Sequence, residues 1–143
     1  MNGTTGVTKL LSPNDVGLTG THQAGILVPK DPNILSFFPV LDRTVKNPRQ
    51  TLSFLDEDGL TIWDFQYIYY NNKLFGGTRN EYRLTGMTKY LRAKAARAGD
   101  EVSFTRDRLG GLSVGYIGRT SAVREIDVIT LTGGWKVIST KMR

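Results

Sequence analysis

The 143-residue sequence contains no cysteine and only one histidine, His22. The lack of cysteine excludes a disulfide scaffold and a thiolate metal site, and a single histidine excludes a cluster of histidine metal ligands. No Gly-x-x-x-x-Gly-Lys phosphate loop occurs. The closest approach to the Glu-x-Lys strand of magnesium-dependent nucleases is Glu81-Tyr82-Arg83, in which arginine replaces the lysine. These absences predict a chain that is not an enzyme by itself and that uses no metal or cofactor.

Long apolar runs are missing as well. Residues 1–9 are rich in glycine and threonine and lack the apolar core of a signal peptide, and no stretch is long enough to cross a bilayer. We therefore expect no membrane contact and a cytoplasmic location. The length suits one hydrophobic core, so the sequence predicts a flexible amino-terminal segment, residues 1–10, followed by a single domain, residues 11–143.

Positive charge is concentrated in one stretch. The formal net charge is +6, and residues 73–108 hold nine basic and four acidic side chains, which leaves the remainder of the chain nearly neutral. A basic excess confined to one stretch is typical of a surface that faces a polyanion. A solvated surface with unevenly distributed charges fits the pattern equally well.

Short β-prone runs between turn residues predict a mainly β fold. Residues 61–70 give the strongest strand, because Trp63, Phe65, Tyr67 and Tyr69 alternate along it and would share one buried face. Many short strands with few helices favour a closed or nearly closed barrel, since closure removes exposed strand edges. The other predicted strands lie near residues 25–28, 51–55, 101–105, 112–118, 126–131 and 135–139.

Two short helices complete the expected fold. Asp31 is a suitable N-cap for the first, with Pro32 at the first helical position. The second would begin at Thr85 or Thr88 and run to about Ala98.

Two polar segments are too long to be idle connections: residues 11–26, the first arm, and residues 70–85, the second arm. In the second arm Arg79, Glu81 and Arg83 alternate by two, so in an extended chain they point the same way. Alternate strand residues lie about 6.6 Å apart, close to two base-pair steps of about 3.4 Å. Arginine donates a fork to guanine and glutamate accepts from cytosine, so this row suits a G·C-rich duplex. An exposed ion-pair ladder is the alternative interpretation.

Both arms resemble the amino-terminal effector domain of the EcoRII restriction endonuclease family. That family has the pattern Ser-x-Asn-Asp-x-Gly-x-Thr-Gly-x-His-Gln-x-Gly in its first arm and Tyr-Tyr-Asn-x-x-x-Phe-Gly-x-Thr-Arg-Asn-Glu-x-Arg in its second. Clear similarity spans residues 11–85, although Gly77 and Tyr82 stand where the family member compared carries lysine. The residues that meet the two patterns are Ser12, Asn14, Asp15, Gly17, Thr19, Gly20, His22, Gln23 and Gly25, then Tyr69, Tyr70, Asn71, Phe75, Gly76, Thr78, Arg79, Asn80, Glu81 and Arg83.

The resemblance implies a DNA-binding pseudobarrel, an open or closed β-barrel whose two arms clamp the major groove of double-stranded DNA. The B-three domains of plant transcription factors share that fold. In the restriction family this domain senses a second copy of the recognition site and regulates a nuclease domain of the same protein. The resemblance therefore implies a bacterial recognition module, a covalently linked nuclease domain outside this chain, and the recognition site CC(A/T)GG.

Individual roles also follow from the resemblance. The Arg-Glu-Arg row of the second arm would read bases, and Asn14, Asp15 and His22 would read bases or order the first arm. The other polar residues would position the DNA backbone. The complete set of predicted DNA-binding residues is Asn14, Asp15, Thr21, His22, Gln23, Lys73, Arg79, Asn80, Glu81, Tyr82 and Arg83.

Other functions remain open at this point. The same fold would serve a transcription-factor-like protein with no role in restriction. An RNA- or single-strand-binding barrel would need exposed aromatic side chains on the basic face, for which Tyr82 and Tyr116 are the candidates. A nuclease with an unrecognised site, or a protein-interaction module with incidental basic charge, would also fit the composition.

Overall fold

The computed structural model describes residues 4–17, 25–118 and 134–140. Eight strands, two α-helices and one 3-10 helix follow one another along these residues. In chain order they are β1 Thr4–Leu10, β2 Ile26–Val28, α1 Pro32–Leu35, β3 Arg49–Asp56, β4 Ile62–Tyr70, the 3-10 helix Asn72–Phe75, β5 Glu81–Thr85, α2 Thr88–Ala93, β6 Glu101–Arg106, β7 Leu112–Ile117 and β8 Trp135–Thr140.

The eight strands form one sheet in the order β2-β5-β4-β3-β7-β6-β1-β8. Neighbouring strands pair antiparallel, except that β3 and β7 run parallel, with Leu55 opposite Ser113. The two end strands are joined by a side chain, because the indole Nε1 of Trp135 in β8 donates to the carbonyl oxygen of Leu27 in β2 at 2.9 Å. The sheet thus curls into a nearly closed barrel, which confirms the prediction of a mainly β barrel with two short helices.

Aromatic side chains fill the barrel. Phe65 and Tyr67 of β4 are buried, and the ring of Phe38 stacks on Tyr67 with 4.6 Å between centroids. Phe38 also meets Trp135 edge to face at 6.1 Å, and Trp135 in turn stacks on Phe104 at 5.8 Å. Such aromatic pairs contribute about 0.5–1.5 kcal/mol each beyond the burial of their area. The predicted burial of the aromatic face of β4 is confirmed for Phe65, Tyr67 and Tyr69, whereas Trp63 at the start of the strand is half-buried.

The amino-terminal segment is a strand and not a flexible tail. Thr4–Leu10 forms β1, which pairs with both β6 and β8, so the prediction for residues 1–10 is wrong over this part. A Cβ at Gly6 would come within 2.5 Å of the Phe104 carbonyl oxygen, so glycine permits a close approach of two strands. Threonine is β-branched and favours strands. The composition that suggested flexibility therefore belongs to a closely packed strand.

The first helix begins as predicted, since the Asp31 side chain accepts a hydrogen bond from the Asn33 N–H at 2.8 Å. Six of the eight described strands coincide with predicted ones to within about two residues at each end, whereas β1 and β5 were not predicted as strands. The strand predicted at residues 126–131 lies outside the described residues. No helix in the described ranges has the length and apolar composition that crossing a membrane requires.

The second helix ends at Ala93, before the predicted end at Ala98. A Schellman motif terminates it: the Ala96 N–H donates to the Leu91 carbonyl, and the N–H of Ala95 donates to the carbonyl of Arg92. Ala95 has a φ of 50°. Glycine usually occupies that left-handed position, so an alanine there concealed the helix end in the sequence.

Gly25 connects the first arm to β2 at a position where only glycine fits. Its φ is 82°, and a Cβ there would lie 2.1 Å from the carbonyl oxygen of Leu84 in β5. Gly59, in the β3–β4 turn, has a φ of 75° with nothing within 4 Å of its ideal Cβ.

We expect Gly59→Ala to lower the free energy of unfolding by about 1–2 kcal/mol. Gly25→Ala should lower it by about 3 kcal/mol or more, because strand β5 must also shift. Urea denaturation measures both losses, and equal losses would contradict the steric argument.

Candidate functional site

The Arg79-Glu81-Arg83 row lies on the outer face of the sheet where β5 begins. A single oxygen of Glu81, Oε2, accepts hydrogen bonds from Arg79 Nε at 3.1 Å, Arg79 Nη2 at 2.9 Å and Arg83 Nε at 2.7 Å. The prediction that the three side chains point the same way is confirmed. The ion pairs of the alternative interpretation are present too, so the row is already ordered in the protein alone.

Two further contacts fix the arginines. The guanidinium of Arg79 lies over the ring of Tyr70, 3.8 Å from its centroid. Arg83 Nη1 donates to the carbonyl oxygen of Gly25 at 3.1 Å. Arg83 therefore connects the second arm to the end of the first.

The row keeps its charges at neutral pH. Burial raises the pKa of Glu81, but the hydrogen bonds and positive charges of Arg83 and Arg79 outweigh it and hold the pKa below its usual value. The carboxylate is therefore ionised, and the three side chains together carry +1. The Arg79 side chain is 40% exposed and that of Arg83 16%. Arg79 is thus the more accessible donor.

Asn80 and Tyr82 of the second arm point to the opposite face, toward the core. The Tyr69 hydroxyl donates to Asn80 Oδ1 at 2.7 Å. The ring of Tyr82 stacks on Tyr69 with 4.2 Å between centroids and 10° between planes. Burial raises the pKa of Tyr82. Both residues therefore fasten the second arm to the buried end of β4.

Lys73 lies on the 3-10 helix Asn72–Phe75 of the second arm. Its N–H donates to the Arg79 carbonyl at 2.9 Å, which closes the arm into a loop. Its side chain is exposed, as are those of its neighbours Leu74 and Phe75. The structure thus presents an exposed cation in the second arm, on a residue whose main chain is hydrogen-bonded to that of Arg79 in the row.

Asp15 orders the described part of the first arm. Its carboxylate accepts from the Ser12 N–H at 2.9 Å, and Ser12 Oγ accepts from the Asp15 N–H at 3.1 Å. The same carboxylate oxygen pairs with Lys9 Nζ at 3.2 Å, and both side chains are at most 10% exposed. Asn14 lies in the same turn, where its main-chain carbonyl oxygen accepts a hydrogen bond from the Gly17 N–H. The remaining predicted residues of this arm, Thr21, His22 and Gln23, lie outside the described residues.

Two important residues were not predicted. Asn71 is fully buried at the start of the second arm, where its side chain binds the backbone of residues 43–47. Lys9 is buried beside the first arm. Asn71 belongs to the Tyr-Tyr-Asn pattern, which was a signal for it. Lys9 carried no signal, because a strand lysine is ordinarily exposed.

The two arginines of the row can donate forked hydrogen bonds to a ligand, and the Glu81 carboxylate can accept one or two. One oxygen of that carboxylate already accepts hydrogen bonds from both arginines. Within residues 4–17, 25–118 and 134–140, no group of three or more histidine, cysteine or acidic side chains is placed to hold a metal ion.

Comparison with known proteins gives the chain a family. The family model described as "Restriction endonuclease EcoRII, N-terminal" matches residues 1–102. The type II restriction enzyme EcoRII of Escherichia coli is 38% identical over 79 residues, which are 54% of this chain and 19% of that protein. Auxin response factor 17 of Arabidopsis thaliana is 32% identical over 117 residues, which are 80% of this chain and 18% of that protein. The chain thus spans less than a fifth of these two relatives.

Two solved structures share the fold. The B3 domain of the UbaLAI restriction endonuclease, with cognate DNA, has a TM-score of 0.62 at 21% identity and covers 96% of this chain and 88% of that one. The Arabidopsis FUS3–DNA complex has a TM-score of 0.60 at 21% identity and covers 77% of this chain and 93% of that one. The barrel therefore has the pseudobarrel fold that the sequence predicted.

The Asp15 contacts predict a structural cost that is separate from any ligand. Asp15→Asn leaves the buried Lys9 ammonium without its carboxylate, and we expect the free energy of unfolding to fall by about 3 kcal/mol. Ser12→Ala removes one hydrogen bond from the same turn and should cost about 1 kcal/mol. Urea denaturation of both variants tests this, and a loss for Asp15→Asn no larger than that for Ser12→Ala would show that the ion pair contributes nothing.

Proposed function

Because the chain belongs to the EcoRII N-terminal restriction endonuclease family, we propose that it is a sequence-specific binding domain for double-stranded DNA. Its two arms clamp the major groove. The observation that carries the proposal is the Arg79-Glu81-Arg83 row, held on one face of the sheet and joined to the first arm through Gly25. The two solved structures described above were both determined with DNA, which supports the same ligand here.

The geometry of the row suits base reading. Arg79 uses the Nε side of its guanidinium for Glu81, so its outer edge faces solvent and can donate to guanine O6 and N7. Glu81 holds both arginines and can accept from cytosine N4. Preorganisation lowers the entropy cost of binding, because the side chains need not be ordered again by the DNA. The ion pairs of the free protein therefore hold the three side chains in the arrangement that reads bases when DNA is bound.

We assign the other arm residues by their positions. Lys73, exposed on the 3-10 helix, binds phosphate, whereas Asn80 and Tyr82 hold the arm in place through Tyr69. Asp15 and Asn14 order the first arm. The first-arm residues Thr21, His22 and Gln23 contact DNA directly.

The domain acts as the effector or target-recognition part of a type II restriction endonuclease of the bacterial cytoplasm, and the nuclease domain lies elsewhere in the parent protein. Its recognition site is CC(A/T)GG or a close variant, since the departures at Gly77 and Tyr82 change the charge of the second arm. Glu81, the acid nearest to a nuclease pattern, is bound by two arginines and is a poor magnesium ligand. The domain therefore recognises DNA without cutting it.

The similarity to auxin response factor 17 favours one second candidate, a transcription-factor-like duplex binder without a role in restriction. Single-strand binding is less compatible with the structure. The Tyr82 ring is already stacked on Tyr69, and the Tyr116 ring is held in place by the hydrogen bond that its hydroxyl donates to the Asp100 carboxylate.

Duplex binding should be sequence-specific and steeply salt-dependent. We expect the protein to enrich one short site from a randomised duplex library, with CC(A/T)GG as the first candidate. Each phosphate contact should add about 0.9 to the slope of log affinity against log salt. Binding by fluorescence anisotropy over a salt series measures this slope, and a plasmid incubated with the protein and Mg²⁺ should stay intact. Affinity that is independent of salt, or an excess of affinity for single strands, would overturn the proposal.

Alanine variants at the three positions of the row should lose different properties. Arg79→Ala removes an exposed donor, so it should cost about 1–3 kcal/mol of binding at one base pair and leave the fold unchanged. Arg83→Ala should also lower the free energy of unfolding, because its side chain binds both Glu81 and Gly25.

Glu81→Ala should preserve or raise affinity for random duplex, since a repulsion toward phosphate is lost, while discrimination between sites falls. Titration of each variant against the selected duplex and its single-base substitutions makes the comparison. An unchanged discrimination profile for Glu81→Ala would reduce the row to a surface ion-pair ladder and leave base reading to the first arm.

A further inference from the structure

A basic patch that belongs to neither arm lies beside the second arm. Residues 42–48 are part of the connection between α1 and β3, and Arg49 is the first residue of β3. The side chains of Arg43, Lys46 and Arg49 are all exposed. We call these three residues the basic rim. None of them lies in the stretch of concentrated positive charge between residues 73 and 108.

The one acid of this stretch is engaged with its own turn. The Asp42 carboxylate accepts from the Thr44 N–H at 2.9 Å and from the Thr44 hydroxyl at 2.6 Å. These hydrogen bonds hold the pKa of Asp42 below its usual value. The carboxylate therefore shapes the loop and is directed at Thr44 and not at a basic side chain.

The loop is fastened to the base of the second arm. The buried side chain of Asn71 accepts from the Asn47 N–H at 2.7 Å and donates to the carbonyls of Arg43 at 3.2 Å and Val45 at 2.9 Å. Asn71 directly precedes the 3-10 helix of the arm. One buried amide thus satisfies three backbone groups of the loop, so the position of the basic rim is fixed relative to the second arm.

The strand register places Arg49 on the same face as the base-reading row. Arg49 lies opposite Ile68 of β4, and Ile68 lies opposite Arg83 of β5. Two strand spacings separate Arg49 from Arg83, about 9.6 Å. Ile68 is buried between them although it lies on the outer face. Arg49 and Arg83 therefore lie on the same face of the sheet, one on each side of Ile68.

This separation matches the width of a DNA groove. The major groove is about 12 Å wide, so a row that reads base edges at its centre has phosphates about 6 Å or more to each side. A cation about 10 Å from the row faces the phosphate backbone and not a base. We propose that Lys46 and Arg49 bind phosphates beside the recognised base pairs, which makes the basic rim a third DNA contact. The proposal rests on the proposed function, whereas Arg43, over the ring of Tyr69 at 5.7 Å, supports the loop.

The test compares two double variants with the same change in charge. Lys46→Ala with Arg49→Ala removes the proposed contacts. Lys89→Ala with Arg92→Ala is the control, since both residues are exposed on α2. That helix packs through Tyr90 against Trp63, at the end of β4 away from the second arm. Anisotropy titrations over a salt series use the duplex that the wild-type protein selects and a scrambled duplex of equal length, and thermal unfolding confirms that the variants fold.

The rim variant should bind both duplexes more weakly by the same factor, with a salt slope about 1.8 less steep than that of wild type. Its preference for the selected duplex should be unchanged, and the control should keep the wild-type slope. An unchanged slope in the rim variant, an equal loss in the control, or a change at one base position would overturn the phosphate contact while the proposed function stands. A wild-type protein without salt-dependent duplex binding would overturn both.

Discussion

The hydrogen bond from Trp135 to Leu27 is the constraint on which the barrel depends. Strand β2 has three residues and, among the strands that the structure describes, pairs only with β5, so the Trp135 indole supplies the donor for the Leu27 carbonyl on its other edge. The indole is buried against Phe104, where an N–H without a partner would cost about 1–3 kcal/mol. One contact therefore satisfies a donor in the core and an acceptor at the edge of the sheet. It also fixes the place where the first arm ends, because Gly25 directly precedes β2.

Tyr69 links the hydrophobic core to the second arm and to the loop before β3. Its ring is buried and stacks on Tyr82, its hydroxyl holds Asn80, and its N–H donates to the Pro48 carbonyl at 3.0 Å. The second arm and the loop before β3 are thus both attached to one residue near the end of β4. Side chains on the two loops are positioned more precisely in this way, because the ends of the loops are held by packed strands.

Local patterns in the sequence were sufficient for the barrel and for the row. The alternation of β4 predicted its buried face, and the spacing of Arg79, Glu81 and Arg83 predicted a common direction, because both depend only on the two-residue period of a strand. The end of α2 was missed because Ala95 takes a conformation usual for glycine. The contacts of Asn71 could not be predicted, since its partners lie more than twenty residues away and only the folded chain brings them together.

The sequence separation between paired strands is much larger for β1 than for the strands β2 to β5. Strands β2 to β5, with the second arm and the rim, all come from the contiguous residues 26–85. Strand β1 instead pairs Thr5 with Arg106 and Val7 with Val137, partners that leave the ribosome about 100 residues or more later. Closing such long loops costs more chain entropy than closing the hairpin of β3 and β4. During synthesis the recognition half of the barrel can therefore assemble from neighbours in sequence, while the first strand made is among the last to find its place.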